Sequence, residues 1–173
     1  LMGYSDINVE VGKFWGQAPF ILLQIPIANQ SLGYQKQAFN TMKFMEFVND
    51  EYISMSWTHF FKGAIFNKLP LLKHLKIREV VGVKMLYGRL SDLNNPSLHS
   101  NLLRLPTDLD GSPSTHIMNR KPFIEVNFGV TNILKFVRVD MVKRLNYLDD
   151  KYEASELFGQ KGLALRISAK FDF

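Results

Sequence analysis

Four sets of residues could carry chemistry. Asp108-Leu109-Asp110-Gly111-Ser112 places carboxylates two apart before a glycine, the opening of a calcium loop. The later glutamate that completes such a shell is missing, and an Asp-Gly turn needs the same residues. His59, His74, His99 and His116 stand at spacings that suit no metal site. Ser54, Ser56 and Thr58 alternate along one stretch, but His59 falls on the opposite parity, and in a strand a nucleophile and its base must share a face. Neither G-x-S-x-G nor a zinc-protease motif occurs. The chain has no cysteine, so thiolate catalysis, thiolate metal sites and disulfides are excluded. No catalytic residue, metal ligand or cofactor is expected. The fourth set is a row of charges, Arg138, Asp140, Arg144, Arg166 and Lys170, at alternate positions of two late segments.

Those charges need strands to line them up. The last twelve residues show the pattern: the odd positions Leu163, Leu165, Ile167, Ala169, Phe171 and Phe173 are apolar, and Arg166, Ser168, Lys170 and Asp172 lie between them. One face of such a strand is apolar and the other polar. The same alternation predicts strands near 6–12, 52–61, 77–88, 123–130 and 136–147, with 162–173 as the sixth. Most are about the 9 to 11 residues that cross a bilayer as a tilted strand. Leu71, Leu72 and Leu75 after Pro70 suggest a short helical cap between two of them.

The fold expected is all-β, an antiparallel transmembrane β-barrel with the apolar face to lipid and the polar face to the lumen. The connections alternate in length as in outer-membrane barrels: loops 13–51 and 91–121 would be extracellular, and the turn at 131–135 periplasmic. Phe60, Phe61, Phe66, Phe136, Phe171 and Phe173 would form one interfacial girdle, and Tyr52, Tyr87, Phe123 and Tyr147 the other. A water-soluble small barrel or sandwich shows the same alternation with the apolar face inward. Six strands do not close a membrane barrel, whose smallest members have about eight. The chain therefore reads as the C-terminal strands of a larger barrel.

Bulk properties agree. No stretch approaches the roughly 18 apolar residues of a membrane helix; Phe20 to Ile27 is broken by Gln24 and Pro26. The net charge of +5 over 173 residues is scattered, which argues against nucleic acid as a partner.

The middle of the chain carries a resemblance. Phe39-Asn40-Thr41-Met42, Phe44-Met45-Glu46-Phe47-Val48-Asn49-Asp50-Glu51-Tyr52, Phe61-Lys62-Gly63 and Asn67 to Glu79 resemble an uncharacterised family of Bacteroidota outer-membrane proteins. Members typically join an N-terminal carboxypeptidase-regulatory-like sandwich to a C-terminal barrel. The tail is loosely similar to the surface-antigen and barrel-assembly superfamily. The resemblance implies the bacterial outer membrane as location and no established activity. It also implies that Leu165, Ile167, Ala169, Phe171 and Phe173 form the signal read by the barrel-insertion machinery.

The function expected is that of an integral outer-membrane barrel, structural or accessory to an outer-membrane assembly. A solute channel is the alternative, and an envelope enzyme a remoter one. Its partners would be outer-membrane lipid and lipopolysaccharide, the insertion machinery, and other outer-membrane or periplasmic subunits. Arg138, Asp140, Arg144, Arg166 and Lys170 would face the lumen, with Arg78 and Lys84, and pair with carboxylates such as Asp140, Glu125 and Asp172. Phe39, Phe44, Glu46, Phe47 and Asp50 sit in a long connection too hydrophobic for disorder. It would either fold into the lumen and offer a partner surface, or pack on the barrel rim.

Overall fold

Alternating β-branched and polar residues build six long strands and a short ribbon. The computed structural model describes residues 3–68, 70–118, 120–152 and 154–169, with side chains throughout except at 71–73. The strands are β1 (Tyr4–Lys13), β2 (Glu51–Phe60), β3 (Arg78–Arg89), β4 (Phe123–Ile133), β5 (Val137–Arg144), β6 (Glu156–Leu157), β7 (Gln160–Lys161) and β8 (Leu163–Ala169). One helix, α1 (Pro70–Leu75), begins at the proline. All ladders are antiparallel, and the main sheet runs β1-β2-β3-β4-β5-β8, with β6 and β7 paired in a two-stranded ribbon.

The sheet is open. β1 and β8 are its two edges and do not pair with each other, so the described strands do not form the closed ring expected of a barrel. β5 also stops earlier than the expected strand at 136–147. Tyr147 takes a positive φ of 55°, and Asn146 accepts from the Ile124 N–H, which turns the chain out of the ladder.

The register gathers the charged side chains of the sheet's middle on one face. Ser56, Lys84, Glu125 and Arg144 lie opposite one another on β2 to β5. Three residues along, His59, Val81, Phe128, Met141 and Leu165 form a row on the other face. The burial of the two faces is inverted relative to a water-soluble protein. On the polar face Arg144 is 0% exposed and Glu125 2%. On the apolar face Val11 is 72% exposed and Ile167 53%, and Val9, Met55, Val83, Phe128, Met141 and Leu165 are exposed between them. Lys143 interrupts this face only near one end, where its ammonium reaches the Lys161 carbonyl at 2.6 Å.

The expected aromatic girdles are corrected in part. Phe123 and Tyr147 do not face outward; they are buried with Phe47 and Tyr152 on the polar side. Phe60 and Tyr52 also share the parity of Ser54 and Ser56, whereas Tyr87 stays exposed on the apolar face.

What covers the polar face is the long connection 14–50. It leaves β1 at the same end as 90–122 and 145–162, and the three pack together. Two small apolar clusters form there, Phe39, Phe47, Leu86 and Phe123 with neighbours, and Phe20, Leu23, Val48 and Leu90 with neighbours. Glycines make room along this face. A Cβ on Gly88 would lie 2.0 Å from Asn49 Oδ1, and one on Gly129 would lie 2.2 Å from Asp140 Oδ1. Gly129→Val therefore forces the buried Asp140 carboxylate out of place, and overpacking of this kind costs about 1–3 kcal/mol. A lowered unfolding midpoint for that variant is the expected result, and an unchanged one would show that Asp140 has room to move.

Candidate functional site

Three charges and a serine in one cross-strand row belong in water unless something satisfies them. Here the 14–50 connection does. Glu46 meets Arg144 in a two-pronged pair, with Arg144 Nη1 donating to Oε2 at 3.1 Å and Nη2 donating to Oε1. Both side chains are fully buried. Arg144 Nε donates to the Asn146 carbonyl at 3.0 Å, and its guanidinium lies 4.7 Å from the centre of the Phe123 ring. Lys43 N–H donates to the second Glu46 oxygen at 2.9 Å.

Glu125 works from the wall toward the loop. It accepts the Asn40 N–H at 2.9 Å, the Thr41 N–H at 3.0 Å and the Thr41 hydroxyl at 2.8 Å. Lys84 stands 3.7 Å from Glu125 and donates to the carbonyls of Gln35 and Ala38. A carboxylate with three donors and an ammonium with two carbonyls are each close to satisfied, which is the condition for burying them.

A second set of contacts lies one row further along. Arg138 grips Asp140, its Nη2 donating at 2.7 Å, and Asn127 donates to the same carboxylate at 3.0 Å. The Tyr34 hydroxyl donates to Asn127 at 3.2 Å. Its ring sits 4.3 Å from the Arg138 guanidinium and 4.8 Å from the Lys84 ammonium. Burial pushes the Tyr34 phenol well above its ordinary pKa, with Arg138 opposing, so it stays a neutral donor. At the edge, Arg166 donates to the carbonyls of Asn40 and of Ser31, the latter at 2.6 Å, and the Ile167 N–H reaches the Leu32 carbonyl at 2.9 Å.

At the loop end the connections fasten to each other. Asp50 accepts the Ser91 N–H at 3.0 Å and Asn94 Nδ2 at 2.9 Å, and Asn94 accepts the Ala18 N–H at 2.8 Å. His116 N–H donates to the Glu46 carbonyl at 2.8 Å, and its Nε2 donates to the Lys151 carbonyl at 3.0 Å.

The expected site residues are thus distributed as follows. Arg138, Asp140, Arg144 and Arg166 share the polar face, while Lys170 lies outside the described residues. Arg138 and Lys84 pair within the sheet as expected, but Arg144 pairs with the loop and Arg166 with backbone carbonyls; Asp172 is also outside the described residues. Phe39, Glu46, Phe47 and Asp50 are buried, and Phe44 is exposed. Leu165, Ile167 and Ala169 are exposed on the apolar side of β8, and Phe171 and Phe173 are outside the described residues.

Asp108 to Ser112 forms a turn, with Ser112 N–H and hydroxyl both donating to Asp110 Oδ1. No group of three or more metal-binding side chains occurs among the described residues. His59 is buried on the apolar face and bonds Ser5 Oγ at 2.8 Å, a same-face partner 54 residues away that strand parity within β2 alone does not reveal. Tyr34, Asn40 and Thr41 also escaped the sequence reading. The only hint is the density of Asn, Gln and Thr in 29–49, since neutral polar residues advertise no partner.

The grip between one loop and one wall is therefore the organising feature of the site, and it lies within a recognisable stretch of sequence. Residues 1–92 match the C-terminal domain of a family of unknown function, DUF5686. The chain belongs to that family. The DUF5686 match spans β1, the whole 14–50 connection, β2 and β3, so it includes Glu46, Asp50 and Lys84 but ends before Glu125, Arg138 and Arg144. No curated protein and no solved structure matches the chain.

Two outcomes are expected from this geometry. Arg144→Leu strands a buried carboxylate and costs about 3–5 kcal/mol, whereas adding Glu46→Leu recovers a large part of that loss. Urea unfolding of both variants checks it, and additive losses would mean the pair is not coupled. Burial also holds the His116 imidazole below its ordinary pKa. The fold then favours the neutral ring, so this contribution is present above about pH 6.5 and is lost as pH falls below it. Between pH 7.5 and 5 the unfolding temperature should drop more steeply in the native protein than in His116→Gln. Parallel curves would remove His116 from the loop's stability.

Proposed function

We propose that this chain forms part of the wall of a bacterial outer-membrane β-barrel, and that its 14–50 connection fills the lumen behind that wall. The observation that carries the reading is the inverted burial: the charged face is buried at Lys84, Glu125, Asp140 and Arg144 in the sheet's middle, while Val9, Met55, Val83, Phe128, Met141 and Leu165 stand exposed on the apolar face of all six strands. A water-soluble sandwich or barrel would bury the apolar face instead. Exposed apolar surface of this extent is stable only against another apolar phase, and lipid is the one that a strand of about this length and alternation fits. That β1 and β8 do not pair fits a barrel whose ring is completed by further strands, from the same polypeptide or a partner, since an open edge in lipid leaves backbone groups unpaired.

The role that fits best is structural or accessory, within an outer-membrane assembly. A loop fixed by a buried ion pair and a capped carboxylate seals a lumen, which favours that role over a solute channel. Leu165 and Ile167 on the outward side of β8 would contact lipid and contribute to the signal for the insertion machinery.

The deciding experiment is a semi-native gel of the protein as its gene encodes it, extracted from outer membranes with and without boiling, alongside Ile167→Asp. A band that shifts on boiling, with less of the variant in the membrane, is the expected result. A soluble band that does not shift would overturn the reading.

A further inference from the structure

The sheet end opposite the gripped loop holds a cavity of about 220 Å³ that none of the contacts above uses. Lys62, Arg78, Lys135 and Arg138 all line it, and they come from separate elements. Arg138 is committed to Asp140, but Lys62, Arg78 and Lys135 have no carboxylate at ion-pair distance among the described residues. Tyr4 and Phe60, stacked at 4.6 Å, form an aromatic wall, and Lys62 stands 5.4 Å from the Tyr4 ring centre.

Both lysines sit where a lysine is costly. The Phe61–Ala64 turn closes with Ala64 N–H on the Phe61 carbonyl at 3.1 Å and has positive φ at Lys62 (53°) and Gly63 (87°). The Ile133–Phe136 turn closes with Phe136 N–H on the Ile133 carbonyl at 3.2 Å and has positive φ at Leu134 (51°) and Lys135 (77°). Positive φ at both central residues is the pattern that asparagine and glycine fill with least strain. Two independent turns each place a lysine there, beside the same cavity. Glu79 lies across from Val130 on the opposite parity to Arg78, and its buried carboxylate takes the Ile65 and Phe66 N–H groups rather than facing the cavity.

The geometry points to a binding site for a phosphate ester. The unpaired cations receive the phosphoryl oxygens, where charge-assisted hydrogen bonds are strongest. The ester's carbon atoms lie against Tyr4 and Phe60. The site depends on the end of this sheet and stands whether or not the apolar face meets lipid.

The test is calorimetric binding to the full protein in detergent of three probes: inorganic phosphate, glycerol 3-phosphate, and a short-chain phosphatidylglycerol below its micelle concentration. The variants are Lys62→Asn and Lys135→Asn, which relieve turn strain and should fold at least as well as the native chain. Binding of any probe that weakens by about tenfold or more in each variant, at unchanged unfolding temperature, supports the site. Binding of glycerol 3-phosphate assigns it to a free ester, and binding of the lipid alone to a headgroup. No binding by any probe, or binding as tight in both variants as in the native chain, overturns it.

Discussion

The Glu46–Arg144 pair fixes how the rest of this molecule is arranged. Arg144 ends β5 on a face that also carries Glu125, Lys84, Arg138 and Asp140, and no sheet can hide such a row by itself. The desolvation cost of a buried ion is several kcal/mol, so each charge must be met by a partner of the right sign and geometry. The loop meets them with one carboxylate, two backbone N–H groups and several carbonyls. Once Glu46 is on Arg144, Phe47 is carried onto Phe123 and Tyr147, and Val48 into the neighbouring apolar cluster.

That sequence of contacts explains why a connection from 14 to 50 with almost no regular structure is nonetheless buried at its centre. Its backbone groups are satisfied partly by wall side chains and partly by isolated bridges such as Gln24–Asn49 and Ala28–Phe39, which together bury irregular chain without a full ladder. The binding is also specific in register. Asn40 and Thr41 present consecutive N–H groups to one carboxylate, and a slip by one residue would leave Glu125 and Arg144 both unmatched. Buried polar networks of this sort contribute definition of one arrangement more than net stability.

The opposite face obeys a different rule. Its Val, Ile, Met, Phe and Leu side chains stand exposed along the strands. The two ends of the sheet differ in the same spirit. One is closed by three interlocked loops built on Asp50, Asn94 and His116, while the other ends in tight turns that hold lysines around a cavity without an ion-pair partner among the described residues.

Strand positions and facing were legible in the sequence because alternation is local: Ile53, Met55 and Trp57 against Ser54, Ser56 and Thr58 need no knowledge of the fold. The antiparallel order followed from the alternation of strands with short and long connections. The grouping of Arg138, Asp140, Arg144 and Arg166 on one face followed from parity, and the helix after Pro70 from proline's fixed φ. Partner choice was not legible. Glu46 meets Arg144 across 98 residues, Asn40 meets Glu125 across 85, and Ser5 meets His59 across 54. Phe123 shares the parity of Glu125 and so belongs on the polar face by alternation alone, whereas Tyr147 looks outward only if the ladder runs on past Arg144, where the chain in fact turns away. A period of two assigns each side chain to a face, but the burial of that face and the pairing of its charges depend on distances between remote segments, which only the tertiary structure decides.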